Sequence, residues 1–226
     1  AYAAMITRMD SEIGRLRHLL EELDLDENTI IIFTSDNGPT YGGIGGSDTE
    51  FFNSAGKLRG LKGSVYEGGI RVPMIIWWKG KAEPGIETDH VAGFQDMMPT
   101  LAEITGGIDL PENDGISFAP LILGGEQEQH DYLYWEFPAY GGQQALRKGD
   151  WKAVRQGLKK DPTAAIELYD LEEDPGEEND ISGQYPDIVK ELEELMHEAR
   201  IPSVNFPFPA LDGDSLGEHN TFKELK

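Results

Sequence analysis

The chain has 226 residues, 38% of them hydrophobic, which is enough for one large core or for a core plus a smaller domain. A formal charge of −23, from 42 acidic against 19 basic residues, argues against a nucleic-acid partner and against anchoring on anionic membrane. The absence of cysteine excludes disulfides, thiolate metal sites and a cysteine nucleophile within these residues, and no apolar run is long enough to span a bilayer.

The opening segment, AYAAMITRMD, lacks the zones of a signal peptide and reads as starting inside a helix, so the chain is expected to be a piece of something longer. Tyr2, Met5, Ile6, Met9, Ile13, Leu16, Leu20 and Leu23 follow the three-and-four spacing of one helical face, with charged residues between them. Asp24 to Asn28 supplies a turn, and Thr29 to Ser35 is a continuous β-branched and aromatic run that predicts a strand covered on both faces. Helix followed by buried strand points to an α/β fold. Gly38 to Gly60 is a long glycine-rich loop, and Val72 to Trp78 predicts a second buried strand. FQDMMPTLAEITGG predicts a helix with Pro99 in its first turn and Gly106 near its end.

After a stretch of turns from Pro111 to Gly125 the texture changes. YLYWEF, QALRKGDWKAVR with its Lys-Gly-Asp turn, and IELYDL are short alternating segments that predict an antiparallel sheet. PDIVKELEELMHEAR then predicts a helix, apolar at Ile188, Val189, Leu192, Leu195, Met196 and Ala199. The organisation expected is residues 1–115 as part of a catalytic α/β domain, 116–201 as a small α+β domain and 202–226 as a tail that wraps the surface or is loose.

Chemistry is concentrated where the first predicted strand ends. In open α/β sheets ligands gather beyond the carboxyl ends of strands, and there Asp36 and Asn37 offer hard oxygen donors of the kind that Ca²⁺ or Mg²⁺ prefers. Two oxygens are too few for either ion, and Asp36-Asn37-Gly38-Pro39 is also good turn chemistry. Other metal readings fail on spacing: Asp24, Asp26 and Asn28 mimic the start of an EF-hand loop, but its glycine position is Thr29 and its twelfth position Ser35. His18, His90, His130, His197 and His219 are scattered and read as surface or packing residues, and the acidic run DLEEDPGEEND reads as a solvated turn.

TIIIFTSDNG, then KLRGLKGSVYEGGIRVPMIIWW, then FQDMMPTLAEITG, in that order, resemble the sulfatase family, the formylglycine-dependent sulfuric ester hydrolases of the alkaline-phosphatase-like fold. The resemblance runs from YAAMITRMDSEIG to about residue 200. It implies part of an alkaline-phosphatase-like α/β sandwich, followed by a small α+β domain with an antiparallel sheet and a packed helix. Residue by residue, it implies that Asp36 and Asn37 are calcium ligands, with Mg²⁺ the less favoured ion, and that Lys62 contacts the sulfate group. Glu67 and Arg71, in YEGGIR, fit a substrate contact or, the favoured reading, a structural ion pair steadying the loop before the second strand.

The family's Cys/Ser-x-Pro/Ala-x-Arg nucleophile motif has no match in this sequence, so the chain resembles the carboxyl-terminal portion of a sulfatase, with the formylglycine expected in a missing amino-terminal half. That half is an expected partner, because Thr29 to Ser35 and Val72 to Trp78 are too apolar to be left as bare sheet surface. The expected substrate is a sulfated small molecule or glycan, aryl sulfates included, and the expected compartment by resemblance is periplasm, outside medium or lysosome. Two alternatives stand beside this reading. One is a phosphoester or phosphonate hydrolase of the same superfamily. The other is a noncatalytic glycan- or protein-binding module built on Tyr132, Tyr134, Trp135 and Trp151, although those aromatics alternate as core residues do.

Overall fold

A computed structural model describes residues 1–107 and 109–213. Helix α1 spans Tyr2–Glu22, strand β1 Ile31–Thr34, the short helix α2 Glu67–Ile70, strand β2 Met74–Trp77, helix α3 Met97–Ile104 and the short helix α4 Ala119–Ile122. Strands β3 (Leu133–Phe137), β4 (Gln143–Lys148), β5 (Trp151–Gln156) and β6 (Ile166–Asp170) follow, then helix α5 (Pro186–Ala199) and the single turn α6 (Pro209–Asp212). The described residues separate into two compact units that interleave along the sequence: residues 1–36, 43–47 and 72–131 form one, and residues 37–42, 48–71 and 132–213 form the other.

In the first unit β1 and β2 pair antiparallel, from Ile31 opposite Trp77 to Thr34 opposite Met74, and the Thr34 hydroxyl donates to the Pro73 carbonyl at 2.9 Å. The two strands are shorter than the spans 29–35 and 72–78, and the expected cover on both faces is not present among the described residues. Met74 and Ile75, successive residues on opposite faces of β2, are 39% and 62% exposed, so at this end of the strand neither face is closed over among the described residues. Helix α1 forms where its apolar stripe predicts, yet none of its residues is buried. Its Arg17 guanidinium lies 4.8 Å from the centre of the Trp77 ring. Around α3, the fully buried Thr100 hydroxyl donates to the Asp96 carbonyl at 2.6 Å and accepts the Phe118 N–H at 2.9 Å, tying α3 to the start of α4.

The second unit is a four-stranded antiparallel meander, ordered β3-β4-β5-β6. Gly149 and Asp150 join β4 to β5 as a two-residue loop with a left-handed glycine first, the backbone that such a tight hairpin demands. Successive residues face opposite sides of a strand, and both sides are covered. Leu146, Ala153, Ile166 and Leu168 pack under Leu192 and Met196 of α5 on one face, while Ala145, Val154, Tyr169 and Leu171 pack against Val65 and Tyr66 on the other. Small residues oppose larger ones across the ladder, Ala145 opposite Val154 and Leu146 opposite Ala153, and all four are fully buried. Tyr132, Tyr134 and Trp151, each partly buried, pack against the α5 layer and Trp135 against the other.

The tail is anchored at two points, Phe208, buried at 1% exposure, and Asp212, which Arg200 joins to Glu136, while Ile201, Val204 and Phe206 around them are exposed. Residues 214–226, with His219, lie outside the described residues.

Candidate functional site

Asp36 and Asn37 follow β1 directly, at the position expected of them, with Asp36 exposed and Asn37 half-buried. The segment that begins at Asn37 is locked to the loop carrying Lys62 by two backbone hydrogen bonds. The Lys62 N–H donates to the Pro39 carbonyl at 2.9 Å, and the Gly38 N–H donates to the Gly69 carbonyl at 2.9 Å. Two peptide steps separate Asn37 from Pro39, so the Asn37 Cα lies within ~8 Å of the Pro39 Cα. The backbones of the two motifs therefore meet, and Lys62 itself is exposed.

That meeting dictates residue types. A Cβ at Gly38 would lie 1.8 Å from the Gly68 carbonyl oxygen, and a Cβ at Gly68 would lie 2.3 Å from the Gly60 carbonyl oxygen. The glycine of SDNG and the first glycine of EGG are thus required by close approach of backbone to backbone. Turn propensity, the reason available from sequence, is the lesser one.

The lysine loop is held from beneath by a buried charge cluster. Glu67, 2% exposed, receives the Lys152 ammonium at 2.7 Å, with Arg147 at 3.7 Å and Arg71 at 3.9 Å. Lys152, from the centre of β5, has no exposed surface, and its ammonium also lies 2.9 Å from Glu177. The other oxygen of Glu177 accepts the Glu67 N–H at 2.7 Å. Burial pushes the Glu177 carboxyl above its ordinary range, and Lys152 opposes that shift only in part. The pair expected between Glu67 and Arg71 is present, but its most buried partner is Lys152. The expectation that DLEEDPGEEND is a solvated turn is corrected at Glu177: a carboxylate needed to compensate a fully buried ammonium cannot face water.

Arg59 adds a second clamp. Its guanidinium lies 3.9 Å from the centre of the Tyr66 ring and donates to the Tyr169 hydroxyl and the Glu177 carbonyl, both at 2.8 Å. The Tyr66 and Tyr169 hydroxyls both donate to Glu167, and burial followed by that carboxylate pushes both phenols up.

In the first unit His130 is half-buried, in line with its reading as a packing residue. Its Nε2 sits 2.9 and 3.0 Å from the two oxygens of Asp96, a residue 1% exposed whose carboxylate also accepts the Gly93 and Ile116 N–H groups. Burial is the main reason the neighbouring His90 has a depressed pKa, with His130 adding to it and Asp96 opposing. In the segment that mimics the start of an EF-hand loop, the Asp26 carboxylate is engaged by Lys79.

As a calcium site, the donor chemistry fits but the number does not. The Asn37 side-chain nitrogen donates to the Gly38 carbonyl at 2.8 Å, which commits the nitrogen end of the amide to the backbone. Calcium takes about six to eight oxygens, and no group of three or more His, Asp or Glu side chains able to hold a metal occurs among the described residues. Asp36 and Asn37 therefore suit the ion as part of a coordination sphere.

The comparisons with known proteins agree with the motifs. The sulfatase family model matches residues 1–108, and the model described as N-sulphoglucosamine sulphohydrolase, C-terminal, matches residues 61–201. The second match alone takes in more than half of the chain, and the chain belongs to the sulfatase family. Arylsulfatase A of Homo sapiens is 32% identical over 222 residues, an alignment covering 84% of this chain and 41% of that protein. N-acetylgalactosamine-6-O-sulfatase of Bacteroides thetaiotaomicron is 31% identical, covering 87% of this chain and 41% of that one. A solved structure in complex with its substrate D-glucosamine-2-N,6-O-disulfate superposes with a TM-score of 0.70 at 26% identity, covering 88% of this chain and 39% of that chain. Another, in complex with a neocarrahexaose, gives a TM-score of 0.73 at 27% identity and covers 88% of this chain and 42% of that chain. The chain spans about 41% of the length of the curated relatives it matches.

Proposed function

We propose that the protein carrying this chain hydrolyses sulfate esters, with Asp36 and Asn37 supplying oxygen ligands to a calcium ion and Lys62 contacting an oxygen of the sulfate. The observation that carries this reading is the 2.9 Å hydrogen bond from the Lys62 N–H to the Pro39 carbonyl, which ties the lysine to the backbone two residues beyond Asn37. Bound at these donors, calcium supplies electrostatic stabilisation of the sulfuryl oxygens. When the ester S–O bond breaks, negative charge grows on the departing alcohol oxygen and spreads over the sulfuryl oxygens. An ammonium fixed beside them lowers the barrier because it needs no reorganisation at that moment. The backbone clamp at Gly38 and Gly69, and the buried Glu67–Lys152–Glu177 cluster, hold Lys62 in register for that task.

Family resemblance puts the attacking nucleophile in a formylglycine, whose Cys/Ser-x-Pro/Ala-x-Arg motif has no match in this sequence. A sulfated carbohydrate as substrate is supported by the relative named N-acetylgalactosamine-6-O-sulfatase and by the neighbour bound to a disulfated glucosamine. The test is turnover of a sulfate ester by the protein and its Lys62→Ala variant. Turnover should fall at least ~100-fold with the melting temperature unchanged. A variant that retains the parent kcat and KM overturns the assignment.

A further inference from the structure

Beside Lys62 stands a residue whose backbone is in the wrong conformation for its type. Ala139, Tyr140, Gly141 and Gly142 form a tight turn closed by the Gly142 N–H donating to the Ala139 carbonyl at 3.0 Å, with φ of 48° at Tyr140 and 92° at Gly141. Positive φ at both central positions is type I′ geometry, which favours asparagine, aspartate or glycine at the first of them and disfavours a bulky side chain. Tyrosine occupies it. The turn does not yield, because the Lys159 N–H donates to the Gly141 carbonyl at 2.8 Å and the Leu158 N–H to the Gly142 carbonyl at 3.2 Å.

The strained tyrosine is not a buried anchor. It is 71% exposed, and its ring leans on Phe137 with centroids 5.8 Å apart and planes tilted by 52°. It also lies over the backbone of Gly63: a Cβ there would come within 2.4 Å of the Tyr140 ring. Adding one Cα–Cβ bond and one peptide step places the Lys62 Cα within ~8 Å of that ring edge. An exposed aromatic alone needs no explanation, since soluble proteins scatter them singly. An aromatic held outward at a backbone cost, beside the one lysine read as a sulfate contact, points to a ligand.

We infer that Tyr140 is the sugar-stacking wall of this site, taking the C–H face of a hexopyranose whose sulfate lies at Lys62. The inference rests on the reading of Lys62 given above. The chemistry matches: the electron-rich face of the ring attracts the polarised C–H groups on the apolar face of a pyranose, while the exposed hydroxyl stays in water. Inorganic sulfate carries no such face and gains nothing from the ring.

The test is titration calorimetry of the protein with two probes, inorganic sulfate and D-glucosamine 6-sulfate. Tyr140→Asn suits the left-handed turn, so its melting temperature should match or exceed the parent's, which keeps misfolding out of the comparison. This variant should bind glucosamine 6-sulfate about 10-fold more weakly and inorganic sulfate with parental affinity. Tyr140→Phe, which keeps the ring face, should bind both probes as the parent does. If Tyr140→Asn leaves the sugar affinity unchanged, or weakens both probes equally, the stacking role is wrong. Lys62→Ala separates the two claims: unchanged inorganic sulfate affinity there removes the sulfate reading itself, while a loss there with a null result at Tyr140 removes only the wall. Failure of the parent to bind either probe counts against both.

Discussion

Replacing Lys152 by methionine removes the ammonium at the centre of the second unit while nearly conserving its volume. The side chain has no exposed surface, and its partners Glu67 and Glu177 have side chains 3% and 0% exposed. The variant therefore leaves two carboxylates desolvated. Arg147 at 3.7 Å and Arg71 at 3.9 Å still face Glu67, whereas Glu177 loses its closest cation. Breaking a buried pair from one side destabilises by roughly 3–5 kcal/mol, and the remaining arginines put the expectation at about 3 kcal/mol, a large share of a domain's 5–15 kcal/mol. Chemical denaturation followed by tryptophan fluorescence measures it.

The pH dependence identifies the cause. A carboxyl whose folded pKa is raised, as burial raises that of Glu177, stabilises fully below its ordinary 4.5 and loses that contribution as pH rises through the folded value. Without Lys152 the opposing influence is gone, so the deficit should shrink as pH falls toward 4.5 and be largest near neutrality. Adding Glu67→Gln and Glu177→Gln to Lys152→Met should recover most of the loss, because no buried charge is then uncompensated. A deficit below ~1 kcal/mol, or a triple variant no more stable than the single one, refutes the reasoning.

The remaining predictions concern the backbone clamp and the His90 cluster. Gly38→Ala puts a methyl where the Gly68 carbonyl oxygen stands, 1.8 Å away, and should cost at least ~2 kcal/mol in a thermal melt while releasing the Lys62 loop. Parental stability in that variant contradicts the close approach. His90 has a pKa held below its ordinary 6.5 mainly by burial, so the folded state resists its protonation. Its contribution is present above 6.5 and lost as pH falls through that value toward the folded pKa, and His90→Gln should flatten this part of the stability profile. An unaltered profile places the acid sensitivity elsewhere.

Several features of the molecule are legible from local sequence. The three-and-four spacing of Ile188, Val189, Leu192, Leu195 and Met196 specifies α5, and Lys-Gly-Asp specifies the hairpin between β4 and β5. Asp36 and Asn37 of SDNG stand out as hard oxygen donors at a strand end, whereas Lys62 is marked only by the resemblance of GLKGS to the sulfatase family, since a loop lysine beside Lys57 and Arg59 is locally unremarkable. What sequence cannot express is a partner far along the chain. Glu177 lies in a run of acids that are otherwise solvated, and nothing local separates it from Glu173 or Glu178, since its burial depends on Lys152 and on the Glu67 N–H. Lys152 reads as the polar member of an alternating strand until both faces of that strand are seen to be covered. Gly38 reads as a turn residue because the Gly68 carbonyl it makes room for is contributed by a different motif. Conversely, the apolar stripe of α1 predicts the helix correctly but not burial, because periodicity specifies a face and not its neighbour.

The central claim is that the strand-end motif and the lysine loop act on one bound oxyanion. A double-mutant cycle on kcat/KM for a sulfate ester, using Asn37→Ala, Lys62→Ala and the pair, tests it most directly. If calcium held through Asn37 and the Lys62 ammonium both stabilise the same sulfuryl group, the two losses will not add, and the coupling will reach at least ~1 kcal/mol. Losses that add to within ~0.5 kcal/mol would show that the two residues serve separate ends and contradict the account.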